Sequence, residues 1–553
     1  MRCYAVALSV LCAACASGGG DPDFGGGGGG SGRAGGSFRR EDRVLIGESN
    51  EITGIAVSQR MVFATTRDAL LILDKQFGSW SPPVTAVDGY PGGPVTAMAA
   101  DPVDDGVWIG TLGGIVYYRP LLDILTTAVV TGTPGAIIFD ARDPLAGAYV
   151  GSASGWSLVT RTGSVTPVER SFLPPPSARI QSSNLNDVYR EYPALQSFLP
   201  MLLRDEQLQS WPVSTGTKAL GSSEVWVGTR GNGVYRVDPL FNQAEHFPFG
   251  LLDEGIGALA AAADGIWMAG LGTGSSARSG LAFASSDLRR WRWVEGSLSR
   301  PFRGVRAYDL SVRGRAAWVA TDRGVLRVET QNENNVRAWS LGNGLPDDRA
   351  LSLATSSDGA WVGTARGLVF ITDSLNRRSA PRSAISATIA IGTAVRALLL
   401  TGDTLWIGSD AGLLMLASGD SAPRRPVAAG EEPRLRRPIA AIARSDSEIV
   451  VATADDLLRI STTGGQLLPR YEAVSFAQLR GITAVAMDSS TIWVTGRGGL
   501  LVITRGTGLP RFMTAPGEIP GEAYDVLLTR DFAWIATRNG LLRISRLRDG
   551  TPR

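Results

Sequence analysis

Past residue 15 the chain of 553 residues contains no cysteine, so its folded part has no disulfide and no thiolate metal ligand. Histidine is almost as scarce. His246 stands alone, which nearly excludes histidine-rich metal sites and a conventional Ser-His-Asp triad. Lysine occurs only as Lys75 and Lys218, so the positive charge is arginine, and the formal net charge of +2 is close to neutral for this length. Such a balance gives no support to a nucleic-acid partner, which calls for a concentrated basic surface. Beyond the extreme N-terminus no stretch offers about 18 uninterrupted apolar residues, so no second membrane anchor is expected there. Global disorder is excluded from the other side: 44% hydrophobic and 19% charged residues suffice for a buried core.

What is present begins with Met1-Arg2, a short apolar core from Cys3 to Leu11, and the small-residue ending Cys12-Ala13-Ala14-Cys15. That layout fits an export signal and is too short for a stable membrane helix. It resembles a bacterial lipoprotein signal. The resemblance implies cleavage before Cys15 and a lipid on Cys15. With Ala16 in place of the aspartate that signals inner-membrane retention, it also implies an outer-membrane destination; ordinary secretion with cleavage nearby is the alternative. Residues 16–42 are dominated by glycine, including the run Gly25 to Gly30, and read as a flexible tether.

From residue 43 onward one hairpin recurs. In Asp358-Gly359-Ala360-Trp361-Val362-Gly363-Thr364 a turn leads into a strand with an aromatic residue. Gly367, expected to supply positive φ, then opens a second strand. Aligned on the aromatic position, the chain gives Phe63, Trp108, Tyr149, Trp226, Trp267, Trp318, Trp361, Trp406, Val450, Trp493 and Trp534. The spacing is 41 to 51 residues except between Tyr149 and Trp226, and eight of the fourteen tryptophans share this register. Four short strands per unit of this length are the signature of a β-propeller blade. Alternation in Val107-Trp108-Ile109-Gly110-Thr111 makes both faces apolar or small, as a blade lying between two others requires. The tryptophans are therefore expected to pack between blades.

The unit resembles the two-component regulator propeller repeat, through Val107-Trp108-Ile109-Gly110-Thr111-Leu112-Gly113-Gly114 and Leu405-Trp406-Ile407-Gly408-Ser409-Asp410-Ala411-Gly412-Leu413. The connectors Gly342-Asn343-Gly344-Leu345-Pro346 and Gly508-Leu509-Pro510 carry the same likeness. The resemblance covers roughly residues 50 to 550. It implies an extracytoplasmic sensor or interaction part; the membrane helix and kinase often fused to it are not found in this sequence, so signalling would require a partner. The expectation is an all-β protein of about eleven four-stranded blades. Two adjoining propellers are the first reading and one large ring the second, since eleven exceeds the usual four to eight. The final unit lacks an outer strand, while Arg43-Val44-Leu45-Ile46 has no unit of its own. Pairing the two would close a ring from both termini.

The long interval holds a helical insertion at about 177–212. Ser183 is expected to cap it, Leu185, Val188, Tyr189 and Tyr192 fall at helical spacing, and Pro193 and Pro200 break or kink the chain beyond them. Its apolar stripe either docks on the propeller or binds a partner, with Tyr189 and Tyr192 as candidate contacts. Charged turn residues Arg67, Arg230, Arg323, Arg366, Asp410, Arg497 and Arg538 would line one rim. They are either solvated turns or an anion- or protein-binding surface. Asp101, Asp104 and Asp105 lack the spacing of a calcium loop and read as a hairpin turn. The glycine-rich stretch Gly270 to Gly280 reads as a long blade hairpin, since no phosphate-loop lysine comes after it. No cofactor or metal is implied. The favoured function is a lipid-anchored cell-envelope binding or sensor-like module for an envelope protein or glycan. The alternative is a glycan-acting hydrolase or lyase using carboxylates across a central channel.

Overall fold

A computed structural model describes residues 42–552 except 206–207, 220, 273–279, 296–303, 374–384, 447, 463–464, 470–475, 507–509 and 548–549. The signal, Cys15, nearly all of the tether, the centre of the Gly270–Gly280 loop and two residues of the Gly508-Leu509-Pro510 connector lie outside the described residues.

The chain forms eleven antiparallel sheets, numbered here as blades 1 to 11 in chain order of their inner strands, the closing strand Arg43–Ile46 being counted with the last. Within each run of consecutive strands the first lies innermost. The recurring sequence explains the recurring geometry. The tryptophan of the second strand packs between blades: of the eight in register, seven are buried and Trp361 is half-buried. Several indoles are fixed by hairpin residues, as in Trp108 Nε1 donating to Asp101 at 2.8 Å and Trp406 Nε1 donating to Thr401 at 3.0 Å. Two residues on comes glycine in four of the eight units and alanine or threonine in the rest, because the next blade's inner strand begins there; a Cβ on Gly110 would lie 2.8 Å from Pro134. The threonine or serine after it caps the turn to the third strand. Thr364 Oγ1 donates to Gly367 O at 3.0 Å and Thr537 Oγ1 to Gly540 O at 2.6 Å. Gly367 itself does not adopt positive φ. The equivalent Gly324, Gly412 and Gly540 do, so the expectation for Gly367 is corrected while the turn stands.

The inner strands divide the blades into two rings. Gly54–Val57, Val95–Ala100 and Pro134–Asp140 neighbour one another in that order, and Val213–Lys218 returns to Gly54–Val57, giving a small ring of four blades. The other seven neighbour one another from Ile256–Ala261 around to Ala523–Leu528, which packs back on Ile256–Ala261. The large ring closes as expected: Arg43–Ile46 pairs with the last strand, register Arg43 with Ile544 and Ile46 with Leu541. The small ring is thus inserted between the closing strand of the large ring and the rest of it. The chain crosses between rings twice, side by side, with Ser49 Oγ donating to Phe249 O at 2.9 Å and Asn50 Nδ2 to Leu251 O at 2.6 Å. One apolar cluster spans the junction, from Val62 and Trp80 of blade 1 to Trp291 of blade 5 and Trp534 of blade 11.

The insertion completes the small ring between blades 3 and 4. Its strand Arg179–Ile180 pairs with blade 3, and helices α1 (Leu185–Glu191) and α2 (Leu195–Leu202) lay Val188, Leu195 and Leu199 on Val225, Val227 and Tyr235 of blade 4. The cap is Asn184, whose side chain accepts from Asn186 N and Asp187 N, and not Ser183, whose hydroxyl accepts from Lys218 N. Blade 8 departs from the four-strand pattern with three strands, Met415 alone being bridged by Arg424.

Candidate site at the mouth of the large channel

In a propeller the faces of each blade are committed to packing, whereas the inner strand has one side open to the channel. Side chains there are free to vary, so chemistry is sought among them first. The inner strands of blades 6 and 11 repeat one tripeptide, Ala307-Tyr308-Asp309 and Ala523-Tyr524-Asp525. Both strands shift register at this point, Ala307 to Asp309 and Ala523 to Asp525, so each tyrosine occupies a β-bulge.

Asp309 and Asp525 are held alike. Asp309 accepts from Leu310 N of its own strand and from Leu353 N of blade 7, at 2.8 and 2.7 Å. Asp525 accepts from Val526 N and from Leu259 N of blade 5, both at 2.8 Å. Each carboxyl therefore staples its blade to the next through an inner-strand amide that the ladder leaves over. Burial raises Asp309 to about 6 against the pull of its two amides. Burial also raises Asp525 to about 7, with the charge of Asp309 adding to it.

The two tyrosines beside these carboxyls in sequence share one cation. The guanidinium of Arg306 stands 5.4 Å from the centre of Tyr308 and 5.7 Å from that of Tyr524. Its Nε is shielded from solvent with no hydrogen-bond partner. Tyr524 Oη donates to Glu522 Oε2 at 2.7 Å. Burial and Glu522 raise the Tyr524 phenol, while Arg306 and Arg538 oppose the rise. Blade 5, between the two tyrosine-bearing blades, contributes no side chain at its own bulge. A Cβ on Gly257 would lie 2.2 Å from Ala307 O.

Of the expected rim residues, Arg538 stands beside Tyr524, and the Arg323 turn is fastened to Arg306 through Arg306 N donating to Asp322 at 3.0 Å. Arg366 faces Asp347 at 3.4 Å, and Asp410 pairs with Arg396, the bulge residue of blade 8, at 2.5 Å. Arg497 is an exposed turn residue of blade 10. Arg67 and Arg230 belong to the small ring, so the seven residues do not form one rim. Tyr189 and Tyr192 are half-buried against blade 4, and Lys218 lies over the Tyr192 ring at 5.6 Å. His246 sits between Tyr235 and Trp293, with Nε2 3.0 Å from Asn232 O, in the packing between the rings. Asp101 and Asp104 bind Trp108, Tyr117, Arg119 and Arg161. No cluster of three metal-ligating side chains occurs among the described residues. The paired tripeptide was present in the sequence, but alignment on the tryptophan strand draws attention away from the strand before it.

The class is a two-ring β-propeller. No family profile and no curated protein matches the chain. Among solved structures, it is similar to the extracellular domain of a protein described as a hybrid two component system of B. thetaiotaomicron. That match has 12% identity and a TM-score of 0.41, over 89% of this chain and 69% of the other. Virginiamycin B lyase of Staphylococcus aureus, solved in inactive form with quinupristin, matches at 13% identity and 0.43, over 54% and 98%. BamB of Moraxella catarrhalis matches at 12% and 0.36, over 53% and 83%.

Proposed function

We propose that this chain is a lipid-tethered cell-envelope binding module of the sensor-like kind, which takes an acidic group of an envelope protein or glycan at the mouth of the large channel. The observation that carries this reading is Arg306, a half-buried guanidinium over the rings of Tyr308 and Tyr524 that pairs with no carboxylate among the described residues. Blade packing does not require such an arrangement, and an anionic group would complete it. The lipid on Cys15 and an outer-membrane location belong to this proposal and rest on the signal-like N-terminus. Capture from envelope extracts by the tethered chain tests the ligand site. Wild type is expected to retain a specific partner, and Arg306→Gln to lose at least about tenfold of it. Equal capture by both would sink the assignment. Incorporation of labelled lipid that persists after Cys15→Ser would remove the anchor.

The second reading is carboxylate catalysis in the same channel. It is favoured by one observation, the repeated Tyr-Asp pair on the inner strands either side of blade 5, where burial raises Asp309 and Asp525 to about 6 and about 7, a range suited to general acid chemistry. Turnover of an envelope glycan that disappears in Asp525→Asn would select it over simple binding.

A further inference from the structure

Blades 5 and 7 present the same cross-strand aromatic pair to the blade that follows. Trp267 stands opposite Phe283 and Trp361 opposite Phe370, with ring centres 5.2 and 4.9 Å apart at 53° and 48°. In blade 5 the fourth strand places Arg292 opposite Phe283. Its guanidinium covers the pair, 5.0 Å from the centre of Trp267 and 6.0 Å from that of Phe283. In blade 7 the same register position is Ala387. Trp267 is buried, whereas Trp361 and Phe370 are both half-buried and line an open groove.

An arginine in register with the tryptophan is the rule in this chain. Arg236, Arg327 and Arg543 stand opposite Trp226, Trp318 and Trp534 on the third strand. Arg511 lies one strand further out from Trp493, and Arg424 holds that place for Trp406 through its bridge to Met415. At Trp108 the arginine arrives from blade 3 instead: Arg161 pairs with Asp101, which also holds the indole. Among the described residues, Trp361 alone of the eight lacks such a cation.

The groove between blades 7 and 8 measures about 460 Å³, within the range of ligand sites. Two hairpin turns bring Asp358 and Asp403 to it, both exposed and without an ion pair among the described residues. The matching places at blade 5 are charged the other way or already satisfied. Asp264, in the turn equivalent to that of Asp358, pairs with Arg290 at 2.9 Å. The facing turn of blade 6 carries Arg315 where that of blade 8 carries Asp403. Arg313 also lines the groove, exposed, so two carboxylates face one guanidinium there.

We propose that this groove receives an arginine side chain of a partner protein. The guanidinium covers Trp361 and Phe370 as Arg292 covers their counterparts, and Asp358 and Asp403 meet its charge. A planar, weakly hydrated cation suits this seat, whereas an anion would face two unpaired carboxylates. Elsewhere in the chain the seat is filled by an arginine carried on an extended segment, so a strand-like stretch of the partner is the matching carrier. This site is separate from the one at Arg306 and does not depend on it.

The test is calorimetric titration of the full chain with the peptide Gly-Gly-Arg-Gly-Gly and its glutamine analogue, with agmatine as the free small cation. The arginine peptide is expected to saturate below about 20 mM and the glutamine peptide to bind at least about fivefold more weakly. Ala387→Arg supplies from within the cation that blade 5 already has, and should weaken peptide binding at least about tenfold without lowering the melting temperature. Asp358→Asn with Asp403→Asn changes exposed turns only. It should lose about threefold at low salt, a loss that closes as salt is added. Trp361→Phe keeps a ring and should bind within about threefold of wild type, and Arg306→Gln should bind as wild type does. Equal binding of the two peptides, full binding by Ala387→Arg, or no loss in the double asparagine variant would each overturn the proposal. Agmatine bound more tightly than the peptide would overturn the assignment to a partner's side chain.

Discussion

The two rings are built from the same hairpin, yet their channels share almost nothing. In the small ring the inner-strand bulges carry Thr96, Gly135 and Ser214, and the cavity beside the first two is neutral. In the large ring the bulges of blades 6, 8 and 11 carry Tyr308, Arg396 and Tyr524, with Asp309 and Asp525 next in line. The difference shows where a propeller sequence is constrained. Blade faces must be small or apolar because each is covered by a neighbour, so Trp226 of the small ring and Trp318 of the large ring occupy equivalent buried places. The channel side of the first strand is covered by nothing and can diverge without cost to packing.

The comparison breaks most completely at ring closure, because only the large ring is sealed by a strand from the other end of the chain. Gly540 has φ of 127°, and a Cβ there would lie 2.3 Å from Ile46 O. Gly540→Val is expected to cost roughly 3 kcal/mol or more and to expose residues 43–46 to protease, while the small ring keeps its protection. Denaturant melts with mapped proteolysis measure both, and simultaneous loss of the two rings would mean that they unfold as one unit.

The small ring is sealed by its insertion instead. Leu199 is fully buried between α2 and blade 4, so Leu199→Ala should cost about 2–4 kcal/mol and open residues 177–212 to hydrogen exchange ahead of the large ring. Exchange confined to the large ring would contradict this division.

A third difference is a response to pH. Asp309 and Asp525 bind protons in the folded state more tightly than in the unfolded chain, whose carboxyls ionise near pH 4. Their contribution to stability is therefore undiminished below about pH 4 and declines as pH rises through 6 and 7. Asp525→Asn should flatten the upper part of that decline in melts taken across the range, and a steeper decline in the variant would show the sign to be wrong. The neutral small-ring cavity supplies no corresponding step.

The smallest contrast lies within the large ring. Trp361 is half-buried beside Phe370 in a groove toward three-stranded blade 8, whereas Trp318 is buried and stacked on Trp339. Trp361→Phe should cost under about 1 kcal/mol and Trp318→Phe clearly more, read from the same denaturant midpoints.

Much of this architecture is legible in the sequence because it rests on local, repeated rules. The tryptophan register counts the blades, the unassigned strand at Arg43–Ile46 anticipates the closing pair, and the spacing of Leu185, Val188 and Tyr192 marks the insertion. The division into four and seven is not legible. It depends on which inner strand returns to which, and Val213–Lys218 reads no differently from its counterparts. The candidate site was hidden for another reason. Tyr308-Asp309 and Tyr524-Asp525 lie more than 200 residues apart, and closing the large ring brings them to either side of blade 5. Gly367 and Ser183 show the limit at finer scale: the type of turn and the presence of a cap were readable, but the residue in the strained or capping place was set by a neighbour.

The insertion of one ring inside the other has a consequence for the order of events during synthesis. Residues 43–46 leave the ribosome early, but their partner at 541–544 is made some 500 residues later. The small ring, contiguous from about residue 50 to 250, has every strand it needs long before that. It can assemble as it emerges, with the closing strand left waiting as an unpaired edge until the last blade arrives. Pulse-labelled exchange during refolding should then show the small ring protected first and Arg43–Ile46 last.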